Sequence, residues 1–211
     1  MFWPQHLSHR HSNLQAMTKK IVIIGPESTG KSTLCKQLAE HYKTIWCPEF
    51  AREYLLKYGM NYTYDNLLTI AEGQVALEDK YESEVRSRES EARNIMTHDS
   101  RLTTHHSLLF IDTDMYVMKV WCEFVFGNCH RFILDQIVER EYDLYLLCNT
   151  DLPWEKDELR EYPDLETRNK LYLVYKDLMI NQAVPWAVIS GNYEQRLQKA
   201  ITVVDNFLSK K

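Results

Sequence analysis

The stretch Lys19–Tyr42, KKIVIIGPESTGKSTLCKQLAEHY, decides the fold. Ile21-Val22-Ile23-Ile24 is a short, unbroken apolar run, as a strand buried on both faces of a parallel sheet requires. Leu34, Leu38 and Tyr42 recur at four-residue intervals, the stripe of an amphipathic helix. Between them, Gly25–Ser32 matches GxxxxGK[ST] at every fixed position. The glycines let the loop turn and bring backbone N–H groups close to phosphate oxygens, and the following helix offers its N-terminus to the anion. Lys31 is placed to reach β- and γ-phosphates, and the Ser32 hydroxyl to help hold a magnesium ion. The competing reading is a plain glycine turn. A chance match in a chain of this length is on the order of one in a hundred, and the flanking strand and helix make it rarer.

Working outward, Thr44–Cys47 reads as a second strand, ended by Pro48, and Glu49–Tyr54 opens a helix. Thr63 is suited to cap a long helix whose apolar face is Leu67, Ala71, Leu77, Tyr81 and Val85. Its far end, residues 78–93, holds six acidic and four basic residues and reads as a solvated face. Residues 97–106 read as a loop, Ser107–Ile111 as a third strand. A helix over 114–126 stops at Gly127, and another covers 131–140. Asp143–Cys148 is a fourth strand, 149–165 a charged loop, 166–181 a helix. Trp186–Ser190 is a fifth strand, and 193–208 a last helix with Leu197, Ile201, Val204, Phe207 and Leu208 inward. Strands alternating with helices predict an α/β fold of the P-loop type. It is a three-layer αβα sandwich on a five-stranded, mainly parallel sheet, with a helical or lid insertion.

Composition sets the outer limits. The 211 residues suit one domain, here residues 19–211 behind a flexible arm at 1–18. Lys and Arg number 25 against 30 Asp and Glu, a net charge of −5, so no basic face is on offer for a nucleic-acid backbone. No apolar run approaches the roughly 18–20 residues of a membrane span, and the first residues lack the apolar core of a secretory signal. The five cysteines are odd in number, form no CxxC and lie mostly in apolar segments. They read as reduced, buried thiols of a cytoplasmic protein. His6, His9 and His11 form HxxHxH, read as part of the arm in preference to a metal site because nothing nearby would orient the rings.

A phosphate loop needs a second magnesium-directing carboxylate at the end of a nearby strand. Asp112 supplies it, closing Leu108-Leu-Phe-Ile-Asp112. Asp114 reads either as a substrate contact or as an acid in the first turn of the next helix. Glu49 and Arg52 follow the second strand at the sheet edge where open α/β folds bind ligands. They read as a base for a substrate hydroxyl with an arginine to steady charge, or as an exposed ion pair. Arg160 and Arg168 lie in or beside the polar stretch 151–168. This reads as an arginine-bearing lid that stabilises a transferring phosphoryl group, or as an ordinary acidic loop.

Taken together, GPESTGKST, PEFAREY, FIDTD and D-x-P-W-x-x-D-x-x-R resemble the ribosylnicotinamide kinase domain of NadR-type proteins of NAD metabolism, from about residue 20 to the end. The resemblance implies transfer of the ATP γ-phosphoryl group to the 5′-hydroxyl of nicotinamide riboside, giving nicotinamide mononucleotide. ATP with Mg²⁺ would sit on Gly25, Pro26, Glu27, Ser28, Thr29, Gly30, Lys31, Ser32 and Thr33, with Asn192 bordering the adenine. Ser32 and Asp112 would direct the metal and Glu49 would act as base. Arg52 and Asp114 would touch ribose or phosphate, and Trp154 with Tyr54 or Tyr116 would stack the cationic ring. The partner implied is a small nucleoside, with no nucleic acid and no membrane. Self-association is left open. Members of the family often carry a further adenylyltransferase or DNA-binding domain, and the residues before the first strand leave no room for one. Two alternatives stay open: a kinase of another nucleoside or small alcohol, and a nucleotide-dependent switch. A guanine-recognising NKxD is absent; Cys148-Asn-Thr-Asp151 lacks the lysine.

Overall fold

A computed structural model describes residues 18–95 and 107–209. The histidine arm and the loop expected over 97–106 lie outside the described residues. In chain order the elements are β1 (Lys19–Ile24), α1 (Lys31–His41), β2 (Ile45–Cys47), α2 (Phe50–Tyr58), α3 (Tyr64–Ile95), β3 (Leu108–Asp112), α4 (Met115–Phe126), α5 (Arg131–Glu139), β4 (Leu144–Cys148), α6 (Leu165–Asn181), β5 (Trp186–Ile189) and α7 (Tyr193–Leu208).

The strands form one sheet in the order β2-β3-β1-β4-β5, and each neighbouring pair is parallel. Alternation along the strands splits the core in two. Ile21, Ile23, Phe110, Leu144 and Leu146 face α1 and α7, packing on Leu34, Leu38, Ala200 and Val204. Val22, Ile24, Leu109, Ile111 and Leu147 face α3, α4 and α6, packing on Val85, Val117, Leu171 and Met179. This is the expected three-layer sandwich. A third apolar cluster joins α2, α3, α4 and α5 through Ala51, Leu55, Ile70, Met118 and Ile133.

Local chemistry sets the element ends. The Thr63 hydroxyl accepts the Asn66 N–H at 3.3 Å while the Asn66 side chain accepts the Thr63 N–H at 2.9 Å, so the first turn of α3 is closed reciprocally. Gly127 ends α4 at φ 68°, a left-handed cap that disfavours a side chain. One expectation needs correction. Glu78 does not belong to the solvated face of α3. It is 1% exposed and lies at the amino ends of the strands among Lys20, Arg140 and Tyr142. Further along, Arg88–Glu84 at 2.6 Å is the exposed i, i+4 pairing that the charge pattern predicts.

Candidate active site

The carboxyl ends of β1, β3 and β4 meet at the phosphate loop. Gly25 adopts φ 140° and Gly30 φ 76°, both in the region that favours glycine. A Cβ on Gly25 would stand 2.7 Å from the Cys148 carbonyl oxygen, so the loop packs directly on the end of β4. The Thr29 hydroxyl and the Lys31 ammonium both donate to the Pro26 carbonyl, at 2.7 and 2.9 Å. Lys31 is thus folded back over its own loop, half-buried, on a single neutral acceptor.

Two acids stand next to the loop. Asp112 is fully buried at the end of β3, and neither carboxylate oxygen has a hydrogen-bond partner. Burial raises its pKa to about 6 and the nearby charge of Glu49 adds to the rise, while Lys31 and the neighbouring Ser32 hydroxyl, which stands close but outside hydrogen-bond geometry, oppose it. Glu49 sits at the N-cap of α2 and accepts from the Thr113 hydroxyl at 3.4 Å. Thr113 itself holds φ 80°, a strained conformation for a β-branched residue, stored between the two carboxylates Asp112 and Asp114.

Asp114 is placed differently from the loop residues. One of its oxygens caps α4 by accepting the N–H groups of Tyr116 and Val117 at 3.0 and 3.2 Å, and the other accepts from the Tyr145 hydroxyl at 2.9 Å. Burial raises its pKa to about 7, and these hydrogen bonds hold the rise in check.

The segment 149–164 lies across the loop. Arg168, 2% exposed on the first turn of α6, donates to the carbonyls of Ser28 and Leu152 at 3.1 and 3.2 Å. Arg160 donates to the Glu155 carbonyl. Arg52 pairs with Asp157 at 3.1 Å, which lowers the Asp157 pKa. Between segment and loop runs a cleft of ≈ 250 Å³. Its polar wall includes Lys31, Ser32, Glu49, Arg52 and Arg160, and its apolar wall includes Trp121, Phe124, Tyr162 and Tyr175. Residues 25–33 all line it.

Of the residues singled out in the sequence, Asp112, Asp114 and Arg168 lie buried behind this lining, and Tyr54, Tyr116, Trp154 and Asn192 are not brought to it either. Tyr54 packs in the α2–α5 cluster, and Tyr116 meets Tyr145 edge-on near the buried cap of α4. Trp154 buries its indole nitrogen without an acceptor. Asn192 caps α7 in a reciprocal box with Gln195. The aromatic residues that do face the cleft come from α4, the segment 149–164, α6 and the first residue of α7, Tyr193, and no sequence motif marks them.

A family model described as an AAA domain matches residues 20–196. The chain belongs to that family. Among curated proteins it is 24% identical over 187 residues to the trifunctional NAD biosynthesis/regulator protein NadR of Escherichia coli strain K12. That match takes in 88% of this chain and 42% of NadR, so the chain spans less than half the length of its curated relative. Among solved structures, a NadR protein in complex with NR superposes with a TM-score of 0.67 at 18% identity, covering 93% of this chain and 51% of that one. The thymidylate kinase of Ehrlichia chaffeensis superposes with a TM-score of 0.57 at 14% identity, covering 89% and 98%. These likenesses establish a P-loop kinase fold.

Two residues of this AAA domain escape a motif reading. Arg196, 2% exposed, donates to the carbonyls of Thr29 (2.8 Å), Asn149 (2.9 Å) and Gly191 (2.7 Å) and pairs with Asp151. It ties the phosphate loop to the ends of β4 and β5. The available signal was its spacing: Arg196, Ala200 and Val204 are the buried stripe of α7. Gln74, buried in α3, accepts the Phe50 N–H at 2.7 Å and donates to the Pro48 carbonyl at 3.4 Å, bracketing Glu49. Among the described residues, no group of three His, Cys, Asp or Glu side chains forms a metal site. No helix there is long and apolar enough to cross a membrane.

Proposed function

We propose that the chain is an ATP-dependent phosphotransferase acting on the 5′-hydroxyl of a nucleoside, with nicotinamide riboside as the acceptor and nicotinamide mononucleotide as the product. One observation carries the reading: a fully buried carboxylate without a hydrogen-bond partner, Asp112, lies beside Lys31, which lines the cleft together with Arg160. Asp112 with the Ser32 hydroxyl fits a hard cation that takes oxygen ligands, Mg²⁺. When bound, the ion neutralises charge on the phosphates.

The chain's own residues then divide the work. The backbone of 25–33 binds the phosphates, and Lys31 leaves the Pro26 carbonyl for the β- and γ-oxygens. Glu49, half-buried beside strained Thr113, accepts the proton of the acceptor hydroxyl. Arg160 meets the charge that develops on the transferring group. Arg168, a candidate for the same task in the sequence, is assigned to holding loop and lid together through the Ser28 and Leu152 carbonyls. Arg52 steadies the lid by donating from both terminal nitrogens to Asp157, and would reach ribose only by giving up one of these bonds. The aromatic wall suits a flat base, and the NadR structure with NR favours nicotinamide.

Incubation with ATP, Mg²⁺ and nicotinamide riboside tests the reading. Formation of the mononucleotide is expected. Turnover of another nucleoside instead overturns the acceptor, and nucleotide hydrolysis with no acceptor in a full nucleoside panel favours a switch.

A further inference from the structure

An acid inside a phosphate-binding loop is out of place on charge alone, since a carboxylate there repels the anion that the loop exists to hold. Glu27 is that acid, and the structure shows what engages it. Its two oxygens accept the backbone N–H groups of consecutive lid residues, Glu161 at 3.0 Å and Tyr162 at 2.5 Å. Hydrogen bonds from amides to a carboxylate are the stronger kind. The next loop residue, Ser28, accepts the Glu155 N–H on its hydroxyl at 3.0 Å. Adjacent loop side chains thus take both ends of the stretch 155–162. That stretch contains no helix and no strand, so it has no ladder of its own to fix its height above the cleft. Arg160 stands one residue before the two amides that Glu27 holds and lines the cleft.

We propose that Glu27 is a positioning residue that latches the lid onto the phosphate loop and so sets Arg160 over the transferring group. The consequence for catalysis rests on the kinase reading above; the latch itself does not. Engaging Glu27 also fixes an acid that would otherwise face arriving phosphates, so latching the lid and binding the nucleotide favour one another. Ser28 supports the same geometry. It holds φ 54°, an uncommon conformation for a side-chain-bearing residue, with its carbonyl on Arg168 and its hydroxyl on the lid.

Hydrogen exchange of the full, ligand-free chain reads the latch directly, with no need for turnover. In Glu27→Ala, exchange across 155–163 is expected to rise about tenfold while β4 and α7 keep their protection. Glu27→Gln retains one acceptor oxygen and is expected to fall between. Unchanged lid exchange in Glu27→Ala overturns the latch, whatever the protein phosphorylates. A chain that shows the exchange effect but transfers no phosphoryl group keeps the latch and loses the kinase reading. In the active enzyme, Glu27→Ala is expected to lower kcat, and adding it to Arg160→Ala to cost little more. Multiplying losses in that double variant, or a rise confined to the acceptor KM, place the carboxylate on substrate and overturn the positioning role.

Discussion

Glu78 on α3 and Asp112 on β3 are both essentially buried carboxylates, lying at opposite ends of the sheet's strands. Glu78, at the amino ends, accepts from Tyr142 at 2.9 Å and pairs with Arg140 at 2.9 Å and Lys20 at 3.4 Å. Nearby, Asp143 takes Lys19 at 2.7 Å and the Lys20 N–H at 2.9 Å. Asp112, at the carboxyl ends, has no partner for either oxygen, and Lys31 beside it is spent on a carbonyl. A buried charge costs several kcal/mol unless it is paired. The chain therefore meets that cost internally at one end and leaves it open at the other. The satisfied end is architecture; the open end is the candidate site.

Substitutions at the two ends should separate these roles. The largest effect is expected from Lys31→Ala, a loss of about three orders of magnitude in phosphoryl transfer with an unchanged circular dichroism spectrum and melting temperature. An active variant removes the loop from the mechanism. Next comes Glu78→Ala, which takes the buried acceptor from Tyr142, Arg140 and Lys20, leaves the two cations only Asp79 and Glu82, and is expected to destabilise the fold by about 2 kcal/mol in urea titration. The surviving folded enzyme keeps its kcat; a lost kcat would make the amino end part of the site. Asp112→Asn should do the reverse. The folded-state pKa of Asp112, about 6, lies above the ordinary 3.8, so the folded chain binds the proton more tightly than the unfolded chain. That group's contribution to stability is therefore full at low pH and falls as pH rises from about 4 through 6. Asp112→Asn should gain up to about 3 kcal/mol over wild type at pH 8, lose most of that gain by pH 4, and be inactive. Equal stability difference at both pH values would mean that Asp112 is not held against its charge. The smallest effect belongs to Arg52→Ala. Arg52 is half exposed in its pair with Asp157, so less than about 1 kcal/mol of stability is at stake, read by thermal melting.

Element order was legible because punctuation and periodicity agreed. Pro48, Thr63 and Gly127 mark boundaries by backbone chemistry, and continuous runs such as Ile21–Ile24 allow little but a buried strand. The loop and Asp112 were legible for the same reason, since fixed spacing places them. The remainder of the site was not. An acceptor side chain just ahead of a helix looks alike whether it caps or binds, so Asn192 read as a ligand contact and Asp114 as either, and the structure gives both of them capping hydrogen bonds. The cleft aromatics depend on which face of α4 and α6 meets the lid, a tertiary matter. Arg168 read as a lid arginine for a transferring phosphoryl group or as part of an acidic loop, and Arg196 went unread, because a buried arginine is recognised by the carbonyls around it.

Strand order carries a consequence for how the site comes into being. β1 pairs on one side with β3, Lys19 facing Leu108, and on the other with β4, Ile21 facing Leu144. Both partners lie far along the chain, so the central ladder closes late, and such non-local pairing slows folding. On the ribosome, β1 emerges first and waits for most of the polypeptide. Lys31 and Asp112 meet only when β1 has paired with β3. Capture of a triphosphate is therefore a property of the finished molecule alone, and a nascent or half-folded chain cannot compete for it.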